Sequence, residues 1–234
     1  SLSSSALDAL QVFYAERDEN ARKYAALQQQ FEPVANDAGE LSMDIFAENW
    51  NDSQFWYSDE TATFYAHQLL DAATDESVIA VVSTPSVFIA LKNVLRSAPA
   101  GFPHPKLYLL EYDSRFSVFS EFVFYDYRKP LILPASLKQT ITHLISDPPF
   151  FSPDCQTKMA LTVSYLLRPS PQKHEDHEAS RVIISTGERV EPLIRKLFHR
   201  AYGVRATDYE PEHERGLSNE YWCFANFEEG WGWR

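Results

Sequence analysis

The sequence predicts an α/β domain in which helices cover both faces of a parallel β-sheet. Short apolar runs alternate with segments of helical periodicity, and this alternation is typical of βα units. The chain has 234 residues, of which 44% are hydrophobic, so it can build one complete core. Polar or turn residues follow each apolar run. Because open α/β sheets bind ligands at the carboxyl ends of their strands, we expect the functional groups there.

The individual elements follow from periodicity and from turn residues. Apolar runs rich in β-branched and aromatic residues predict strands at 78–82, 106–110, 122–125, 142–146, 182–185 and 221–226. Helical spacing and capping residues predict helices at 59–72, 86–96, 154–167 and 191–198.

A separate N-terminal part precedes these elements. Leu7, Leu10 and Tyr14 form an apolar stripe that predicts a helix over 1–30, and Pro33 and Gly39 indicate a linker over 31–41. We therefore expect an N-terminal helix and linker over 1–42, and the main domain over 43–234.

The charge balance limits the kinds of partner. The chain carries 33 acidic and 21 basic residues, a formal net charge of −12. Because proteins that hold nucleic acid usually present basic surfaces, a nucleic-acid partner is disfavoured and a basic, folded protein partner is expected.

Other sequence features predict a cytoplasmic protein. Cys155 and Cys223 lie outside any metal-binding spacing, which indicates free thiols in a reducing compartment. No segment resembles a signal peptide or a membrane span, so a soluble protein is expected. The charged segment 172–180 is predicted to be an exposed loop. Its His174 and His177 leave metal binding as the alternative, although we expect no metal.

The sharpest local motif is Asp147-Pro148-Pro149-Phe150, directly after a predicted strand. The two prolines restrict φ and remove backbone donors, which leaves the Asp147 carboxylate and a neighbouring carbonyl as rigid acceptors beside an aromatic ring. Such acceptors suit an amine that must be held with its lone pair towards an electrophile. The alternative is a tight turn that simply ends a strand.

Two more strand ends carry acidic residues. Glu111 ends the second predicted strand, where a carboxylate commonly accepts hydrogen bonds from ribose hydroxyls. Asp126 ends the third and suits an adenine amino group, with Tyr127 available for stacking. The Glu111 carboxylate could instead be an ordinary surface group. The first strand-to-helix turn contains no glycine, but Thr84 and Pro85 can begin a helix there. Together these strand ends indicate a nucleoside cofactor.

These motifs resemble the elongation factor 1-alpha lysine methyltransferases. The resemblance is carried by segments 54–62 (QFWYSDETA), 83–87 (STPSV), 110–113 (LEYD), 124–127 (FYDY) and 147–150 (DPPF), with further agreement at 6–16 and 217–226. It covers almost the whole chain and departs from the family pattern in the insertion at 172–180 and in the polar segment at 101–105.

The resemblance implies a Rossmann-like class I methyltransferase with a seven-strand sheet and S-adenosyl-L-methionine as cofactor. Carried over position by position, the cofactor-binding residues are Ser83 and Ser86 beside the cofactor, Glu111 at its ribose, Asp126 and Tyr127 at its adenine, and Trp56, Tyr57 and Ser58 over its methionine end. The methyltransferase domain is then 43–234.

The implied activity is methylation of a lysine in translation elongation factor 1-alpha. Asp147, Pro148, Pro149 and Phe150 form the catalytic motif, and Phe151 and Trp222 are expected to clasp the lysine stem. No metal is needed, and a monomer is expected. Two alternatives remain open: methylation of an adenine amino group, which the motif alone permits equally well, and a cofactor-binding module without turnover.

Overall fold

The computed structural model describes residues 41–43, 46, 55–169, 180–214, 216 and 221–234. The predicted N-terminal helix and linker therefore lie almost entirely outside the described residues, as does the 172–180 insertion except for Ser180. No helix within the described ranges is both long enough and apolar enough to cross a membrane.

Seven strands form one sheet. In chain order they are β1 (Val78–Val82), β2 (Lys106–Glu111), β3 (Phe122–Phe124), β4 (His143–Ser146), β5 (Arg181–Gly187), β6 (Arg205–Ala206) and β7 (Tyr221–Ala225). Their order across the sheet is β3-β2-β1-β4-β5-β7-β6. The Rossmann-like seven-strand sheet is thereby confirmed.

The sheet differs from the prediction in two respects. It is mixed and not wholly parallel, because β7 runs antiparallel to both β5 and β6. The apolar pattern of the sequence also did not predict β6, because its two residues are too few to show the alternation of a strand.

Helices cover both faces of the sheet. The longer helices are α1 (Asp59–Leu70), α2 (Pro85–Ser97) and α3 (Pro153–Leu166). The predicted helix 191–198 is instead a succession of α4 (Glu191–Ile194), a π-helical turn (Arg195–His199) and α5 (Arg200–Tyr202). Capping residues set where α1 and α3 begin, because the hydroxyls of Ser58 and Ser152 accept hydrogen bonds from the backbone N–H groups of Thr61 and Cys155.

The alternation of side chains along each strand divides the core into two layers. Ile79 and Val81 of β1 face the cluster that holds α1 and α2, whereas Ala80 and Val82 face the cluster that holds α3 and α4. Because β1 is covered on both sides, its sequence is apolar throughout.

The register of the parallel strands places their carboxyl ends together. Val82 of β1 lies opposite both Leu110 of β2 and Ser146 of β4, and Glu111 lies opposite Phe124 of β3. The residues that follow these strands, including Asp147 and Asp126, are therefore carried to one edge of the sheet.

Candidate active site

A cleft of about 260 Å³ lies at this edge. Carboxylates and aromatic rings dominate its wall, which consists of Phe55, Trp56, Ser83, Pro85, Glu111, Tyr112, Tyr125, Asp126, Tyr127, Arg128, Asp147, Pro149, Phe150 and Tyr221. Eight of the residues predicted from the sequence are among these: Trp56, Ser83, Glu111, Asp126, Tyr127, Asp147, Pro149 and Phe150.

Asp147 is partly buried, and its two carboxyl oxygens have different surroundings. Its backbone N–H donates to the carbonyl of Val82, which anchors the residue to the end of β1. Its Oδ2 accepts a hydrogen bond of 2.7 Å from the Tyr57 hydroxyl, whereas the buried Oδ1 has no partner among the described residues. Asp147 therefore offers one unsatisfied acceptor at the cleft.

Burial chiefly determines the charge state of Asp147. Its pKa is raised to about 8, chiefly by loss of solvent and also by the negative charge of Glu111, against the lowering effect of the hydrogen bond from Tyr57. A positively charged guest at Oδ1 would favour the ionised carboxylate, because opposite charges attract strongly where water is excluded.

The side chain of Gln156 connects the turn that carries Asp147 to β5. Gln156 of α3 is fully buried, and its Nε2 donates to the carbonyl of Phe150 at 2.9 Å and to Oγ1 of Thr186 at 3.1 Å. The ring of Phe151 lies directly on Gly187, where an added Cβ would stand only 2.8 Å from the ring. Phe151 thus packs beneath the turn, outside the cleft.

Glu111 lies at the neighbouring strand end and is also buried. Its Oε1 accepts hydrogen bonds from the backbone N–H groups of Tyr112 and Asp113, at 2.8 and 3.0 Å. Burial raises its pKa to about 7, opposed by these hydrogen bonds. Both recorded bonds fall on Oε1, so the carboxylate keeps acceptor capacity for a ligand.

The third strand end is organised by Arg128. Its backbone N–H and its Nε both donate to Oδ1 of Asp126, and its guanidinium also reaches the Tyr112 hydroxyl at 3.3 Å. The hydrogen bond from the Arg128 side chain is the largest cause of the lowered pKa of Asp126. Tyr127 meets Phe150 edge to face at a centroid distance of 5.7 Å, which closes the cleft on this side.

The turn after β1 has an unusual backbone conformation. Ser83 has φ of 57°, a left-handed conformation that favours glycine, and its N–H donates to the carbonyl of Leu110. The following Thr84 precedes α2 with a buried hydroxyl that has no partner among the described residues. An unsatisfied hydroxyl beside a helix N-terminus fits a polar ligand group.

Several predicted residues lie outside the cleft wall. Ser58 caps α1, and the hydroxyl of Ser86 accepts a hydrogen bond from the backbone N–H of Tyr57 at 3.4 Å. Pro148 is not part of the wall, and Tyr57 reaches the site only through its hydroxyl on Asp147. These residues do not line the cleft and lie behind the residues that do.

Trp222 does not line the cleft. Successive residues of a strand face opposite sides, so it is Tyr221 that lines the cleft, while Trp222 packs near Phe224 and beneath the guanidinium of Arg234. The wall also contains six residues that the sequence motifs did not predict: Phe55, Pro85, Tyr112, Tyr125, Arg128 and Tyr221. Counting alternation from the buried Cys223 would have found Tyr221.

The residues fit a nucleoside cofactor. Acceptors at Glu111 and Asp126, with Tyr112 and Tyr127 beside them, suit ribose hydroxyls and a purine ring. No group of three or more potential metal ligands exists among the described residues. Next to the nucleoside region, Asp147 with its aromatic neighbours can hold an amine.

Comparisons with known proteins agree with this geometry. A family model described as "Probable N6-adenine methyltransferase" matches residues 48–229. Protein-lysine N-methyltransferase EFM5 of Saccharomyces cerevisiae is 38% identical over 233 residues, covering 97% of this chain and 92% of that protein. EEF1A lysine methyltransferase 1 of Homo sapiens is 36% identical over 231 residues, covering 98% of this chain and 92% of that protein. The Gallus gallus protein of the same name is 36% identical over 233 residues, covering 98% and 94%.

Proposed function

This chain belongs to the family of EEF1A lysine methyltransferases, and we propose that it transfers methyl groups from S-adenosyl-L-methionine to a lysine of translation elongation factor 1-alpha. The observation that carries the proposal is Asp147, which lines a cleft rich in aromatic rings and whose buried Oδ1 has no partner among the described residues. The methyltransferase domain spans 43–234, and the matched family region at 48–229 falls within it.

The cofactor is held at the ends of β1, β2 and β3. Glu111 accepts hydrogen bonds from the ribose hydroxyls, and Asp126 and Tyr127 flank the adenine. Ser83 and the start of α2 meet the methionine end together with Trp56. When bound, S-adenosyl-L-methionine supplies an electrophilic methyl group on a sulfonium centre.

The lysine must lose a proton before it can attack. At pH 7 this costs about 4 to 5 kcal/mol for an amine with an ordinary pKa near 10.4. The apolar rings of Phe150, Tyr127 and Tyr221 lower the cost because they disfavour the charged ammonium. Positive charge returns to the nitrogen as the new bond forms, and the ionised Asp147 stabilises it there.

An adenine amino group is the second candidate substrate, because the matched family model carries that description. Two observations favour lysine. The relatives that match nearly the full chain are named as lysine methyltransferases, and the net charge of −12 opposes binding to polyphosphate. The same charge suits a basic, folded protein partner. We place the enzyme in the cytoplasm as a monomer, with Cys155 and Cys223 as buried free thiols.

The proposal is tested by following a labelled methyl group. Purified protein is incubated with S-adenosyl-L-methionine labelled in the methyl group and with elongation factor 1-alpha, and portions are then treated with protease or nuclease. We expect the label to be released from the macromolecular fraction by protease alone and to be found on lysine by mass spectrometry. Label released by nuclease alone would replace lysine by adenine as the substrate.

A further inference from the structure

Three buried hydroxyl groups form a chain that ends on Asp147. The hydroxyl oxygen of Tyr57 lies 2.7 Å from Oδ2 of Asp147 and 2.7 Å from Oγ of Ser185, and Oγ of Ser185 lies 3.2 Å from the hydroxyl of Tyr65. Neither Ser185 nor Tyr65 lines the cleft, and both side chains are completely buried. Both residues are outside the set that sequence motifs assign to the site.

The ionisation state of Asp147 decides the direction of hydrogen bonding in this chain of hydroxyls. An ionised carboxylate has no proton to give, so Tyr57 must donate its single hydroxyl proton to Asp147. While Asp147 is ionised, the Tyr57 oxygen can only accept from Ser185, whose own oxygen accepts from Tyr65. When Asp147 is protonated and donates to Tyr57, the Tyr57 hydroxyl donates to Ser185 instead. Each donor is strengthened because its oxygen receives a hydrogen bond from the group behind it.

This chain of hydroxyl groups cannot carry the lysine proton to solvent. It runs inward from Asp147 to Tyr65, which adjoins the buried thiol of Cys223. Its available roles are therefore to orient Asp147 and to stabilise its anion. With Oδ2 held by Tyr57, only Oδ1 remains to meet a guest in the cleft.

We propose that Ser185 and Tyr65 are positioning residues for methyl transfer, which act through Tyr57 to aim the Asp147 carboxylate at the amine and to hold it ionised. This inference rests on the proposed function, since it concerns the same amine site. Among the other titratable groups, Glu111 from β2 raises the pKa of Asp147, and the charge of Asp147 raises the pKa of Cys155 from α3 and of Tyr221 from β7. None of them belongs to the chain of hydroxyls, so the variants below leave them in place.

Two single-oxygen deletions test the proposal. Ser185→Ala and Tyr65→Phe remove one hydroxyl each and keep most of the packing. Without them Tyr57 is a weaker donor, so the anion of Asp147 is less stabilised, and the alkaline rise of kcat/KM should move to higher pH by about half a unit. Ser185→Thr, which keeps a hydroxyl, should restore the wild-type profile.

A buried hydroxyl elsewhere provides the control. Thr207 is equally buried and donates its hydroxyl to the carbonyl of Cys223, outside the chain. Thr207→Val should reduce stability without moving the pH profile. If Ser185→Ala and Tyr65→Phe are folded and have the wild-type pH profile, whatever their turnover, the proposal is overturned.

Failure of the proposed function gives a different result. If the wild-type protein does not methylate lysine, the chain of hydroxyls is still testable, because the carboxyl carbon of Asp147 can be titrated by ¹³C NMR without substrate. A higher pKa in Ser185→Ala than in the wild type supports the role of the chain, and an equal pKa refutes it. If Ser185→Ala is too unstable for kinetics, the same titration of Asp147 can be made in Tyr65→Phe.

Discussion

The hydroxyl of Tyr57 lies 2.7 Å from Oδ2 of Asp147, although 90 residues separate the two along the chain. Tyr57 precedes α1, and its backbone forms an isolated antiparallel bridge with His213. Both neighbours of Tyr57 are tied to the same segment, since Ser58 N–H donates to the carbonyl of Glu212 and the carbonyl of Trp56 accepts from Glu214 N–H. The hydrogen bond on Asp147 therefore depends on contacts between the two ends of the domain.

This relationship predicts the effect of Tyr57→Phe on the pH profile. The hydrogen bond from Tyr57 lowers the pKa of Asp147 against the opposing effect of burial, so its removal should raise that pKa above about 8. Activity requires the ionised carboxylate and rises as pH passes the pKa. The rise of kcat/KM should therefore shift to higher pH by about one unit, with the largest loss near neutral pH. A uniform loss at every pH would contradict this role for Tyr57.

Glu111 provides a prediction about the cofactor. Glu111→Ala removes the buried carboxylate that we propose accepts the ribose hydrogen bonds, which should cost on the order of 2 to 3 kcal/mol, or about 30-fold or more in affinity by calorimetry. Glu121→Ala is the matched control, because Glu121 pairs with Lys92 and does not line the cleft. Equal affinity of folded Glu111→Ala and wild type would rule out the ribose assignment.

The contact between Gly187 and Phe151 leads to a prediction about the turn that carries Asp147. A methyl group at this position would stand 2.8 Å from the ring of Phe151, so Gly187→Ala must displace the ring and the turn above it. We expect kcat to fall about 10-fold and stability to fall by about 1 to 3 kcal/mol, measured by steady-state kinetics and denaturant unfolding. Gly187→Ala combined with Phe151→Leu should recover part of both losses. If the single variant equals the wild type, the turn does not need this contact.

The sequence predicts a strand correctly where the residues of that strand alone show the pattern of a buried strand. β1 was predicted with its observed bounds, because a buried parallel strand is a short apolar run between turn residues. The π-helical turn at Arg195–His199 was not predicted, because its hydrogen-bond pattern leaves the apolar spacing almost unchanged. The antiparallel direction of β7 depends on how the chain returns to the sheet, which local periodicity does not report.

In the site, too, the sequence predicted the residues that follow a recognisable strand but not the contacts between distant segments. Glu111, Asp126 and Asp147 were identified because each follows a recognisable strand. The contact of Tyr57 with Asp147, the support of Phe150 by Gln156 and the hydroxyl of Ser185 all join residues that are distant in sequence or hidden behind the cleft. Such contacts arise only when the strands have been placed side by side, so motifs alone could not predict them.

The central claim is that Asp147 stabilises positive charge on the substrate amine and does not hold the cofactor. Asp147→Asn tests it, because the amide keeps the size and one acceptor oxygen but loses the negative charge. An aliphatic amine concentrates a full unit of charge on nitrogen, so a lysine enzyme should depend strongly on the carboxylate. Asp154→Asn serves as the control, since Asp154 is exposed on α3 and pairs with Lys158 outside the cleft.

The decisive measurement is kcat on elongation factor 1-alpha together with the dissociation constant for S-adenosyl-L-methionine, both in Asp147→Asn. We expect kcat to fall at least about 100-fold, equivalent to about 2.7 kcal/mol of transition-state stabilisation, with cofactor affinity changed less than about threefold. Near-wild-type turnover on protein lysine would contradict the charge-stabilising role. A collapse of cofactor affinity would instead assign Asp147 to the cofactor site.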